Sequence, residues 1–119
     1  VLGGVDEAYG LHVSSAHPTG TLAVCEGVFM GSTDRLTIQV KGQGGHAALP
    51  HQTVDAVVAA SHLVVALQSI ISRNLDPEEA GVITLGQASA GTAGNIIAGE
   101  AILKGTIRCF TPEVRALLE

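Results

Sequence analysis

The stretch Val40-Lys41-Gly42-Gln43-Gly44-Gly45-His46-Ala47-Ala48-Leu49-Pro50-His51 decides how the chain is read. Just before it, Leu36, Ile38 and Val40 alternate with Thr37, Gln39 and Lys41. That is the period of a strand with one buried face. The strand runs out at Gly42. Glycines at 42, 44 and 45 permit backbone angles and close approaches that larger residues resist. His46 follows at once, Pro50 blocks an early helix, and a helix is expected from 53 to 73 with Thr53 as its N-cap. The pattern holds an imidazole on a constrained loop between a strand and a helix. The plain alternative is a glycine-rich turn with a solvated histidine. A dinucleotide site is a further alternative, because Gly42, Gly44 and Ala47 fit G-x-G-x-x-A. It fails on placement. The helix starts too late to aim its N-terminus at a pyrophosphate, and His62 and Leu63 stand about 20 positions on, where an acidic residue is needed.

Downstream, Val57, Ala60, Val64, Leu67 and Ile71 form the core stripe of the expected helix. Val54, Val58, Leu63, Val65 and Ile70 widen the apolar surface beyond one core face. Such a helix is either covered on several sides or meets another subunit. Residues 82–88 read as a second strand, with Ile83 and Leu85 on one face. Residues 101–110 read as a third. Leu103, Ile107 and Cys109 face one way there, and Lys104, Thr106 and Arg108 the other. A sheet with one apolar and one polar face is covered by helices on one side only. Thr111 and Pro112 open a last helix. The order predicts an α/β (α+β) fold, a ferredoxin-like β-α-β-β-α-β sandwich with an antiparallel sheet, helices on one face and its last strand missing. Ahead of this unit, residues 8–13 and 21–30 read as two further strands, with His12 near the end of the first. Both ends of the sequence read as cut from a longer protein.

Composition narrows the function. The net charge is −5, the six Lys and Arg are spread singly, and aromatics are 3% of the residues. These features argue against a nucleic-acid partner. Outside the amphipathic helix region no uncharged apolar run is long enough to span a bilayer, so no membrane partner is expected. Cys25 and Cys109 are far apart with no C-x-x-C. They read as buried free thiols in a reducing, cytoplasmic setting.

Several motifs together resemble one family. Y-G-L-H-V at 9–13, K-G-Q-G-G-H-A-A-L-P-H at 41–51, L-Q-S-I-I-S-R-N at 67–74, A-G-T-A-G-N-I-I at 90–97 and G-T-I-R at 105–108 are similar to the M20 metallopeptidases and amidohydrolases. The nearest branch is that of hippurate hydrolases, N-acyl-amino-acid deacetylases and auxin-conjugate hydrolases. The resemblance implies a catalytic domain with two divalent metal ions (zinc, manganese, cobalt or nickel), split in sequence by a lid that also dimerises. Residues 1–32 then correspond to terminal strands of the catalytic domain, and residues 33–119 to most of the lid.

The same resemblance implies four roles. His12 matches a ligand of the metal pair. His46 matches the lid histidine that reaches into the partner subunit's site and steadies the carbonyl oxygen. Asn95 and Arg108, thirteen positions apart, match the pair that holds the substrate carboxylate and its neighbours. A homodimer is expected through helix 53–73 and strand 82–88, and the substrate is expected to be a small N-acyl amino acid. Arginine's planar fork suits a carboxylate, and an imidazole donor suits a developing oxyanion. Ala98 stands where the family has proline, which predicts a looser loop after Asn95. The family's early Cys-Gly-His-Asp run and its metal-binding Glu-Glu pair are expected to lie outside this chain, and Glu78-Glu79 reads as part of a turn. The chain alone is therefore expected to hold no metal tightly and to be inactive. The alternative is a non-catalytic ferredoxin-like interaction module.

Overall fold

The computed structural model describes residues 3–119. Three long strands form one antiparallel sheet: β1 (Asp34–Lys41), β3 (Gly81–Ala90) and β5 (Glu100–Cys109), in the order β1-β5-β3. Two short strands, β2 (Gly45–His46) and β4 (Ile96–Ile97), pair separately. Helix α1 spans Ala56–Arg73 and α2 spans Pro112–Leu118. The mixed α/β architecture with an antiparallel sheet agrees with the sequence reading, and a fourth long strand is not formed among the described residues.

Alternation explains the layering. Leu36, Ile38 and Val40 on β1, Ile83 and Leu85 on β3, and Ala101, Leu103, Ile107 and Cys109 on β5 all turn to the same side. α1 covers one half of that side through Ala56, Ala60 and Val64, and α2 covers the other through Val114 and Leu118. β3 carries a bulge between Leu85 and Gln87. The extra residue reverses the face on which later side chains fall. Without it Ala88 and Ala90 would lie on the open face, and Gln87 and Ser89 would turn toward the helices. Arg115 of α2 grips Asp34 of β1 with two hydrogen bonds of 2.9 and 2.7 Å. The Asp34 carboxylate, through these bonds and its charge, raises the pKa of the guanidinium further, with Glu119 adding to the effect.

Several expectations need correction. Residues 8–13 and 21–30 form no strand. An extended segment becomes a strand only when a neighbour completes its ladder, and no described residue pairs with it. Tyr9 is 91% exposed, and Leu11, Val13 and Val24 are similarly open. α1 starts at Ala56, and its N-cap is Asp55, whose carboxylate accepts from the amides of Val57 and Val58. Thr53 is occupied elsewhere: its hydroxyl and its amide both donate to the Pro50 carbonyl, closing a 3-10 turn over Pro50–Gln52. The helix packs with Ala56 buried in the core and Val57 44% exposed, in place of the Val57 core position expected. The second and third strands are Gly81–Ala90 and Glu100–Cys109 in place of 82–88 and 101–110. Cys109 is buried against the Ser32 hydroxyl at 3.1 Å, but Cys25 is exposed.

α1 is long and apolar enough, by length and composition, to cross a membrane. Here one stripe packs on the sheet while Val57, Val58, Leu63 and Val65 remain open.

Candidate functional site

The glycine run works by close approach. None of Gly42, Gly44 and Gly45 has a positive φ. A Cβ on Gly42 would stand 2.2 Å from the Val54 carbonyl oxygen, and one on Gly44 would stand 2.8 Å from that of Ile97. These contacts let the loop close on itself and on the 95–99 segment. Gln43 and Val54 exchange two backbone hydrogen bonds of 2.9 Å, and the Gly42 amide donates to the Gly99 carbonyl at 2.8 Å. Gly42→Ala is therefore expected to lower stability by about 1–3 kcal/mol, the scale of an overpacked contact, read as an earlier denaturation midpoint. An unchanged midpoint would show that the loop relaxes freely.

Inside this closed loop His46 pairs with Ile96 across β2 and β4. Three successive amides fix its surroundings. Ala47 donates to the Asn95 carbonyl at 3.2 Å, Ala48 to the His46 ring nitrogen Nδ1 at 3.1 Å, and Leu49 to the His46 carbonyl at 2.9 Å. Because Nδ1 accepts, the proton of the neutral ring sits on Nε2. The imidazole is exposed and presents Nε2–H as a donor. An open depression of about 720 Å³ adjoins it, lined in part by Ala47, Pro50, Asp55, Val57, Thr92 and Ile97.

Asn95 is brought beside His46 by that shared backbone bond. It lies in a turn closed by the Ile96 amide on the Ala93 carbonyl, and no described non-glycine residue has a positive φ. The segment after it is held on both sides. β4 pairs with β2, the Ala98 carbonyl accepts from Ala56, and the Gly99 carbonyl accepts from Gly42. So even with alanine at 98 the segment is tied to two neighbours.

Arg108 is not brought to His46 within one chain. β5 begins at Glu100, next to the loop, and Arg108 lies exposed near its other end, opposite Val82. Eight residues of strand place the two ends on the order of 26 Å apart. His12 lies in the exposed leading segment, where its Nδ1–H donates to the Val13 carbonyl at 2.6 Å and leaves Nε2 free. A metal-binding histidine is commonly oriented in this way. Among the described residues, however, no three His, Cys, Asp or Glu side chains gather to hold a metal ion. Among the described residues His12 can therefore supply at most one ligand of a metal pair. Sequence reasoning missed β2, β4 and the Ala48 contact. Two-residue strands have no periodicity to detect, and a backbone amide carries no residue signature.

The family model of the peptidase dimerisation domain (M20_dimer) matches residues 33–116. The N-acetyldiaminopimelate deacetylase of Anoxybacillus flavithermus is 49% identical over 108 residues, covering 91% of this chain and 29% of that protein. The N-acetyldiaminopimelate deacetylase of Bacillus cytotoxicus is 51% identical over 104 residues, covering 87% and 28%. The crystal structure of the Bacillus subtilis YXEP protein, a dinuclear metal-binding peptidase of the M20 family, aligns with a TM-score of 0.57 at 30% identity. That alignment covers 78% of this chain and 21% of the other. The chain thus spans less than a third of the length of these curated relatives.

Proposed function

The chain belongs to the M20 peptidase dimerisation-domain family, and from that premise we propose that it is the lid and dimerisation part of an amidohydrolase that deacetylates N-acetyldiaminopimelate. The observation that carries this reading is the state of His46: exposed, with the Ala48 amide on its Nδ1 and the Leu49 amide on its carbonyl, which leaves Nε2–H as the ring's free donor. Amide hydrolysis develops negative charge on the carbonyl oxygen, and a preorganised donor stabilises that charge more than it stabilises the ground state. Arg108 supplies a planar fork for the substrate carboxylate, and Asn95 supplies hydrogen bonds beside it. A metal pair would supply the activated water, and His12 would contribute one imidazole to it.

The separation of His46 from Arg108 is resolved by a two-fold dimer. β3 is an edge strand of its sheet, and residues 82–90 carry no proline and no charge to block pairing. α1 lies on the same sheet and exposes Val57, Val58, Leu63 and Val65. Joining two copies through β3 about a two-fold axis makes one continuous sheet and covers both features. The axis reverses the partner's strands. Its His46 end then comes to the Arg108 end of the first protomer, and each site takes its carbonyl donor from one lid and its carboxylate partner from the other.

The test is acetate release from N-acetyldiaminopimelate by the metal-loaded full-length protein and by this chain alone. Release by the first and none by the second is expected. No release by the full-length protein overturns the substrate, and release by the chain alone overturns its role as a lid.

A further inference from the structure

The open face of the sheet carries a charge pattern that a lid and dimer role leaves unexplained. Its side chains fall in rows set by the register. Thr84, Thr106 and Arg35 form one row; Gln87, Lys104 and Thr37 form the next; Val82 and Arg108 stand beyond the first. Lys41 and Glu100 pair at the far end. Four of the six Lys and Arg of the chain are therefore on this face, against one carboxylate, in a protein of net charge −5. The Glu100 carboxylate accepts a hydrogen bond from Gln39. The ion pairs among the described residues are those of Arg115 with Asp34 and Glu119, on the helix side of the sheet. Arg35, Lys104 and Arg108 are exposed and have no acidic partner there.

Lys104 and Arg108 are the diagonal neighbours of Arg35 across the β1–β5 pair, about 7–8 Å away and within reach of long side chains. Like charges this close disfavour the folded sheet unless an anion joins them, and together they focus an attractive field on one. Threonine hydroxyls at 37, 84 and 106 lie between them and can donate to the same anion.

We propose that Arg35 and Lys104 form a second carboxylate subsite beside Arg108, so that this sheet face selects a substrate with two carboxylates. The proposal rests on the deacetylase reading above and gives its specificity a physical location. Arg108 takes the carboxylate next to the amide. Arg35 and Lys104 take the remote one, which the diagonal register places one side-chain reach from Arg108. Nα-acetyl-lysine is the matched probe, because it differs from N-acetyldiaminopimelate in lacking the remote carboxylate.

The experiment compares the full-length wild type with Arg35→Gln and Lys104→Gln, and with Arg73→Gln as a cation off this face. Calorimetric binding of diaminopimelate and of lysine is measured in physiological salt, followed by KM and kcat for the two acetylated substrates. Wild type is expected to bind diaminopimelate more tightly than lysine. Arg35→Gln and Lys104→Gln should each weaken diaminopimelate binding and raise KM for its acetyl derivative by about tenfold, the scale of one charged hydrogen bond. They should leave kcat and both lysine probes nearly unchanged, and Arg73→Gln should change nothing. Equal binding of the two probes by wild type, or equal losses for both in the variants, overturns the subsite. A preference that depends on Arg35 in a protein with no deacetylase activity keeps the subsite and removes the deacetylase reading instead.

Discussion

If the full-length protein is the proposed deacetylase, replacing His46 by alanine in it is expected to lower kcat by about 10²-fold or more, the cost of losing one oxyanion donor. KM should move little, because the carbonyl oxygen of the bound substrate has not yet developed the charge that the donor answers. The structure adds a reason to expect the full effect. The ring is not free to offer either nitrogen: the Ala48 amide occupies Nδ1, the β2–β4 pair fixes the backbone, and the closed 43–54 loop backs both. A donor held this way costs little reorganisation when the transition state forms. Steady-state kinetics on N-acetyldiaminopimelate, with metal content measured alongside, provide the check. A kcat within a few-fold of wild type, at equal metal content, would remove His46 from the reaction.

The sequence carried the long elements because periodicity carries them. Leu36-Ile38-Val40 and Leu103-Ile107-Cys109 each show the faces they have in the sheet, the long helix is visible in its apolar spacing, and the last one in its Thr111-Pro112 cap. Capping propensity does not by itself place the start of α1, because Thr53 and Asp55 are both good caps. The choice between them was made by the 3-10 turn at Pro50, a tertiary outcome that propensity does not encode. The bulge at Gly86 was likewise hidden, although Gln87 and Ser89 would otherwise have fallen on the wrong face. In the leading segment Leu11, Val13, Leu22 and Val24 read as strand, and they remain unpaired because local pattern cannot supply a partner strand. The candidate site was legible in its side chains, His46, Asn95 and Arg108, but not in its geometry. What poises His46 is a set of backbone amides, and what separates it from Arg108 is the length of β5.

That separation supports a prediction that no single-chain site could meet. Two inactive variants, His46→Ala and Arg108→Ala, should restore activity when their subunits are exchanged. If each site draws His46 from one lid and Arg108 from the other, a mixed dimer holds one site with both defects and one with neither. Random pairing makes half of the dimers mixed, so about a quarter of the wild-type activity should return. If both residues served the site of their own subunit, every site in the mixture would keep one defect and nothing would return. The exchange itself tests the interface. Val65 is 73% exposed on α1 in the single chain, so Val65→Lys should leave the subunit folded. Buried at the two-fold it would place like charges against apolar surface and shift the protein to monomer, visible by light scattering. The His46→Ala and Arg108→Ala pair built on that monomeric background should then fail to complement. Complementation that survives dissociation, or a Val65→Lys protein that stays dimeric, would move the interface away from β3 and α1. Together the outcomes decide whether the antiparallel run of β3 and β5, read through a two-fold axis, is what assembles the site.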